Sequence, residues 1–417
     1  MRKKRLHTSL GRFGLVLMVA SMLLMVGWTI PTLVPTASAK APDKIIFGNP
    51  IALSGINVAG AMMSQIRAYD LWVEDVNAEG GIYVKEYGKK IPVEIIRYDD
   101  KSDVGTAVKL TEKLLLDDKV HFILPPWGTA SHFAIAPVIT KYKSPVVGIT
   151  ASSIKLKEMA PKVPYMFILL NQPDEQGQAL VDLCVELGVK SAAVIHHTDL
   201  HGIECAGATL PQLVVSGIDV VLYKSYPLGA KDLSPLLKKV KAANVDALIG
   251  FSYPPGTFLM TGQMMAIGLN PKLFYTTVGV AYPSYRDGFG AKTVEGIMGA
   301  GTWNPKLPYP GVKEWFERYV KRWGEEPDRW GTAGGYATGE IMQKAIEIAG
   351  TLDPTKVRDV IAREKFDTVL GPVKFENQFN ISYPGMVGQW QDGEFLVADK
   401  KTRQAKPIYP KPAWPKK

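Results

Sequence analysis

Cysteine is nearly absent. Cys184 and Cys205 are the only two in 417 residues, which excludes a disulfide scaffold or a cysteine-rich metal cluster. Of six histidines, three lie close together: His196, His197 and His201. His197 and His201 have the four-residue spacing of two ligands on a helical turn. However, they read as part of a strand-to-helix loop, and no HExxH or cysteine pattern accompanies them, so no metal is expected. There is no Walker A sequence, no GxSxG and no GxGxxG after a strand, so no nucleotide, cofactor or serine-hydrolase signature is present. No basic helix is interleaved with aromatics, which argues against a nucleic-acid partner. After residue 39 no stretch is apolar enough to span a bilayer.

What is present begins at the N-terminus. Arg2, Lys3, Lys4, Arg5 and Arg12 form a basic head, an apolar stretch covers residues 14–30, and Ala37-Ser38-Ala39 closes the segment. This is the order of a secretory signal peptide cleaved after Ala39. Retention as a membrane anchor is the alternative, and the small-residue exit favours removal. No cysteine lies near the cleavage point to carry a lipid. Export places the rest of the chain where ATP, NAD and glutathione are scarce. Removing 39 of 417 residues leaves 378, and removing five basic residues lowers the formal charge from +9 to +4. A chain of that length exceeds what one core usually supports, so two lobes are expected. In an oxidising compartment Cys184 and Cys205 could pair. Two small buried thiols is the simpler reading.

The mature chain alternates strand and helix. Strands are expected at 44–52, 91–98, 120–124 and 146–149, with helices at 58–78, from Asp103, and at 129–142. In the first helix Met62, Ile66, Tyr69, Val73 and Val76 step by four and three, which marks one helical face. Gly80-Gly81 stops it. The pattern then repeats, with strands at 192–196, 220–223, 246–251 and 273–276 and helices between them. Helices at 311–323, 332–349 and 354–364 and strands at 373–375 and 386–390 complete the chain. Two β-α-β-α runs imply an α/β protein with two doubly wound parallel-sheet lobes. The expected division is 43–170 plus about 302–370 for lobe one and 171–301 plus about 371–400 for lobe two. A Lys/Pro-rich tail at 401–417 is expected to be loosely held.

In open parallel sheets ligands bind beyond the carboxyl ends of the strands, at helix N-termini. The loops concerned are 53–57, 126–131 and 150–153 in lobe one, and 197–202, 252–256 and 276–279 in lobe two. Several place small or hydroxyl residues where main-chain N–H groups are free. Such ends favour a carboxylate, although Ser and Thr also cap helices in any protein.

Several local patterns carry a resemblance: Leu53-Ser54-Gly55, Asn77-Ala78-Glu79-Gly80-Gly81-Ile82, Tyr98-Asp99-Asp100, Gly128-Thr129, Asp174-Glu175-Gln176-Gly177 and Asp367-Thr368-Val369-Leu370-Gly371-Pro372. With this order of elements the chain resembles the periplasmic type I substrate-binding proteins of the leucine/isoleucine/valine group, which serve ABC importers. The resemblance implies two lobes joined by three crossover segments and closing on one small molecule. It implies that Thr129 with its adjoining backbone, Ala151 and Ser153 hold a ligand carboxylate, and that Tyr253 is a cleft tyrosine. His201 stands at the aromatic position of D-x-x-Y-G, a departure. The stretch Thr277-Val278-Gly279 lacks the glutamate that amino-acid binders of the group tend to have, and a buried ammonium needs such a partner. Asp174 and Glu175 read as helix caps.

The expected ligand-binding residues are therefore Ser54, Trp127, Gly128, Thr129, Ala151, Ser152, Ser153, His201, Tyr253 and Val278. The expected function is that of a monomeric periplasmic receptor. It would bind a small carboxylate or amide, branched-chain amino acid-like or aromatic, without cofactor or catalysis, and pass it to an inner-membrane ABC permease. A ligand-sensing subunit of a signalling system is the alternative, and a secreted hydrolase a weaker one.

Overall fold

The computed structural model describes residues 40–301, 303–382, 386–400 and 402–416. The expected signal peptide and Lys417 lie outside these residues.

The first lobe grows from Ile45–Ile51, a strand buried at nearly every position. Val93–Asp99 and Phe122–Ile123 lie parallel on either side of it. Pro92 divides the strand expected at 91–98. Having no N–H, proline ends a ladder, so Lys89–Ile91 turns away and pairs with Ile82–Val84 in a separate hairpin. Val146–Gly148, Met166–Ile168 and Phe379–Asn380 form a second parallel set in this lobe. Trp72, Phe47 and Phe122 pack on one another beneath the sheet, and Trp303 and Trp315 meet edge to face nearby. Trp303 donates its indole N–H to the Val369 carbonyl at 2.9 Å and belongs to this core.

The second lobe holds a seven-stranded sheet. Five strands are parallel: Met298–Gly299, Leu273–Thr276, Ala247–Phe251, Ser191–His197 and Asp219–Tyr226. Gly388–Gln391 and Glu394–Val397 extend it antiparallel. The sheets are therefore not wholly parallel as expected, because both lobes finish on hairpins. In the first lobe, Asn377 and Gln378 take left-handed φ values of 47° and 72°. That pair reverses the chain as a hairpin turn and lays Gly371–Glu376 against Phe379–Asn380. Residues 371–380, expected in lobe two, thus pair within the first-lobe sheet, and the first later strand on the second sheet begins at Gly388.

Two further expectations change. The helix expected at 58–78 is helical throughout but includes a π-helical turn at Met62–Ile66. The tail is packed rather than loose. Ile408 N–H donates to Gln389 Oε1, Lys411 N–H to the Lys272 carbonyl, and the Trp414 indole to the Leu269 carbonyl. Lys411 is 4% exposed. Cys184 and Cys205 are free thiols, both buried.

Glu340 stands out in the Thr332–Ala349 helix. Its carboxylate accepts the Val369 N–H at 2.9 Å, and burial pushes its pKa up to about 7 from 4.5. Between pH 4.5 and 7 the folded state holds a proton that the unfolded state has lost, so stability falls as pH rises through this window. Glu340→Gln keeps the acceptor and removes the charge. Thermal unfolding should show the variant more stable than the parent by ~1–3 kcal/mol at pH 8 and nearly equal to it at pH 5. Equal stability at both pH values would mean that the carboxylate is not buried as described.

Candidate functional site

Four helix N-termini meet where the lobes face each other. From the first lobe come Thr129–Lys141 and Ile154–Met159, with N-caps Gly128 and Ser153. From the second come Leu200–Val215 and Pro254–Ala266, with N-caps Asp199 and Tyr253. All four bring the positive end of a helix dipole, and three of them also present main-chain N–H groups, the Pro254–Ala266 helix opening on two prolines that have none, so the seam favours negative charge.

Trp127 sets the first-lobe wall. Its indole N–H donates to Ser64 Oγ at 3.1 Å, and Ser64 donates to the Gly60 carbonyl at 2.7 Å. Gly60 must lack a side chain, since a Cβ there would stand 2.3 Å from the Trp127 ring. Gly128 turns the chain with φ of +91°, a conformation that favours glycine. Its N–H donates to Thr150 Oγ1 at 3.0 Å. Thr129 Oγ1 accepts the Ser152 N–H at 3.2 Å, which braces the two first-lobe loops. Ala151 is fully buried, and its carbonyl accepts from Gln172 Nε2.

Tyr253 crosses the seam. Its ring lies 4.6 Å from Trp127, centroid to centroid, and stacks on His201 at 5.3 Å with planes 9° apart. Its hydroxyl donates to Asp199 Oδ2 at 2.8 Å, and the Thr129 main-chain N–H faces the phenol oxygen. Burial, with Asp199 alongside, raises the phenol pKa well above its ordinary value. The expected carboxylate seat at Thr129 is thus held by a phenol oxygen backed by an acid.

A second crossing was not foreseen. Ser153 Oγ donates to Glu204 Oε1 at 3.1 Å, and Ile154 N–H donates to Glu204 Oε2 at 2.9 Å. A second-lobe carboxylate therefore sits on the N-terminus of a first-lobe helix. Beside it the Ser152 hydroxyl lies 3.9 Å from Cys205 Sγ and accepts from Gln176 Nε2 at 3.0 Å.

The histidines differ from expectation. His196 and His197 end the Ser191–His197 strand, and His201 lies in the first turn of the following helix. Thr277 Oγ1 donates to the Ser252 carbonyl and accepts the Ser252 N–H, so toward His201 Nε2 it acts as acceptor. The proton of His201 therefore sits on Nε2, and Nδ1 faces the Cys205 thiol at 3.5 Å. Burial lowers its pKa to about 4. With both nitrogens committed, His201 offers the seam a neutral ring face. Burial likewise raises the Cys205 thiol to about 12.

Trp127, Gly128, Thr129, Ser152, Ser153, His201 and Tyr253 are thus brought to one seam by these contacts, with Ala151 between Thr150 and Ser152. Ser54 is placed differently. It is exposed, and its hydroxyl and N–H both donate to Asp99. Val278 is buried. Its N–H donates to the Ser252 carbonyl and its own carbonyl accepts from Thr257, all within the second lobe. Asp174 and Glu175 both pair with Lys157, and Glu175 accepts the Gln172 N–H in a capping box. Asp199 and Glu204 were missed. The signal available was their position, at and just after the start of a helix that follows a second-lobe strand.

The profile described as "Periplasmic binding protein" matches residues 44–394. The chain belongs to that family. An "Amino acid binding protein" of Pseudomonas aeruginosa is 26% identical over 321 residues, 76% of this chain and 83% of that protein. Two solved structures share the periplasmic binding protein fold. One is the branched-chain amino acid transporter substrate binding protein LivJ from Streptococcus pneumoniae in complex with isoleucine. It has a TM-score of 0.75 and 19% identity, covering 86% of this chain and 100% of that one. The other is a solute binding protein of an ABC transporter from Rhodopseudomonas palustris BisB5 in complex with 3,4-dihydroxy benzoic acid. It has a TM-score of 0.75 and 19% identity, covering 88% and 99%. The lobe-to-lobe contacts lie along this seam.

Hydrogen bonds to a charged group are worth about 1.5–3 kcal/mol each. Glu204→Gln replaces one acceptor oxygen with an N–H group facing a donor, so it should weaken lobe closure and shift the open fraction about tenfold. Small-angle scattering of the ligand-free variant should report a larger radius of gyration than the parent. Identical curves would show that Glu204 does not hold the lobes.

Proposed function

We propose that this protein is the periplasmic receptor of an ABC importer, binding a small carboxylic acid of the branched-chain amino acid or aromatic type and delivering it unchanged to an inner-membrane permease. The supporting observation is the Thr129 N–H at the start of an uncapped thirteen-residue helix, facing the Tyr253 hydroxyl across the seam. A ligand carboxylate would take the place of that hydroxyl. Trp127 and the neutral ring of His201 would supply flat apolar walls.

The missing glutamate at Thr277-Val278-Gly279 does not remove amino acids from this class. Asp199 stands beside the seat. Its Oδ2 accepts from Tyr253 and from the His201 N–H, and no hydrogen bond among the described residues reaches its other oxygen. That oxygen could meet an ammonium. The solved folds carrying isoleucine and 3,4-dihydroxy benzoic acid are the reason for considering both ligand types. A division of the lobes near residues 170 and 302 and removal of residues 1–39 complete this reading. Among the described residues no helix is long and apolar enough to cross a membrane.

The test is a thermal-shift and calorimetric screen of the mature protein against leucine, isoleucine, phenylalanine, benzoate and hydroxybenzoates. At least one acid should bind. Thr129→Pro, which removes the main-chain N–H at the first helical position, should weaken that binding by about 1–3 kcal/mol, and Tyr253→Ala should weaken it by removing the ring packed between Trp127 and His201. A screen without any binder, or a binder indifferent to both substitutions, rejects the proposal.

A further inference from the structure

A second polar feature lies on the same seam. A small cavity of about 20 Å³ has Ile56, His197, Tyr226, Gly229 and Tyr253 among its lining residues. That volume holds one oxygen-sized atom. Two of its walls carry buried polar atoms with no hydrogen-bond partner: His197 Nε2 and the Tyr226 hydroxyl. Their side chains belong to residues 1% and 6% exposed.

The fold places these two atoms together. His197 and Tyr226 are register partners at the carboxyl ends of neighbouring strands, and their rings lie 6.4 Å apart. The tautomer of His197 is set by its other nitrogen. Nδ1 accepts the Asp199 N–H at 3.3 Å, so the proton of the neutral ring sits on Nε2. Burial, reinforced by His201 and His196, keeps that ring neutral. The cavity therefore offers one N–H donor and one hydroxyl able to donate or accept. The Ser252 hydroxyl lies near Tyr226 but is already bonded to Thr257 and Thr276.

We propose that this cavity is a subsite for an oxygen atom of the bound solute, a hydroxyl or carbonyl carried at the end of the molecule away from its carboxylate. The inference rests on the reading of the seam as an acid-binding cleft. Two observations favour a solute atom over a resident water. First, the cavity is completed by the first lobe, since Ile56 seals it and a Cβ at Gly229 would lie 3.2 Å from Ile56 Cδ1. It forms only when the lobes meet, as does the space around a bound solute. Second, Tyr253 joins the two places. Its hydroxyl end faces Thr129 and its ring lies 4.5 Å from His197. Tyr253 fills that span, so a solute reaching from the Thr129 seat to the cavity would be about one aromatic ring in length and would displace that side chain from it. An oxygen there would satisfy both unpartnered groups, whereas a hydrocarbon end would leave them unpaired.

The experiment measures dissociation constants of the mature protein for benzoate, 3-hydroxybenzoate, 4-hydroxybenzoate, phenylalanine and tyrosine. The expected result is at least a tenfold preference for an oxygen-bearing member over its plain counterpart. Tyr226→Phe should reduce that ratio threefold or more, and His197→Phe should abolish it. His197→Phe also removes the acceptor for the Asp199 N–H and could fail to fold. Tyr226→Phe removes a hydroxyl with no protein partner and keeps the test decisive. Acids that bind with no such preference, or a ratio unchanged in Tyr226→Phe, would overturn the subsite and leave a water in the cavity, with the acid-binding reading intact. If no acid binds, that reading falls and the subsite with it.

Discussion

Four helix N-termini aimed at one seam create a local excess of positive potential that something must neutralise. In a two-lobed protein the neutralising groups can also join the lobes. Here they do so. Glu204 of the second lobe bonds the start of the Ile154–Met159 helix. Tyr253, backed by Asp199, faces the start of the Thr129–Lys141 helix. The protein's own acids thus stand where a solute carboxylate would be attracted, and the same physical demand accounts for both closure and binding. Closure held by two hydrogen bonds to a partly exposed acid is modest, which suits the proposed receptor role, in which the lobes would also open.

The rigidity of the first-lobe wall contrasts with this. Trp127 is fixed by its bond to Ser64, by the bare backbone of Gly60 and by the left-handed Gly128. The π-helical turn at Met62–Ile66 contains Ser64 and so aims its hydroxyl at the indole. A wide turn inserted in a helix is a common device for re-aiming side chains near a working surface. The second-lobe wall is built instead from groups whose hydrogen bonds depend on one another: the Ser252 main chain and the Thr277, His201 and Cys205 side chains.

Much of this was legible in the sequence. Periodicity located the main strands and helices, and the rule that ligands sit beyond strand ends picked out Trp127, Thr129, Ser152, Ser153 and Tyr253 together. What was not legible shares one cause: contact between segments remote in sequence. Glu204 looks like an ordinary exposed helix residue until the other lobe is in place. The tail reads as loosely held from its lysines and prolines, yet it is fixed by main-chain carbonyls at Leu269 and Lys272 and by Gln389, which composition does not reveal. Asn377-Gln378 gives no Gly signal for a hairpin turn, so the return of the chain to the first lobe went unseen. Ser54 was chosen for its loop, but Asp99 claims both its donors.

The histidine at position 201 carries the last step. A phenol there would present a hydroxyl to the cleft, able to donate to or accept from a solute. Imidazole at the same place, with Thr277 and Cys205 taking both nitrogens, withdraws that capacity and leaves a flat uncharged surface stacked on Tyr253. Burial to a pKa of about 4 prevents it from acting as a cation at neutral pH. The second lobe therefore meets the seam with one acid partnered by a phenol, one acid committed to the opposite lobe, and two neutral imidazoles. Discrimination by charge falls to Asp199 and the Thr129 helix. In the proposed reading, discrimination by shape would fall to the rings of Trp127, Tyr253 and His201.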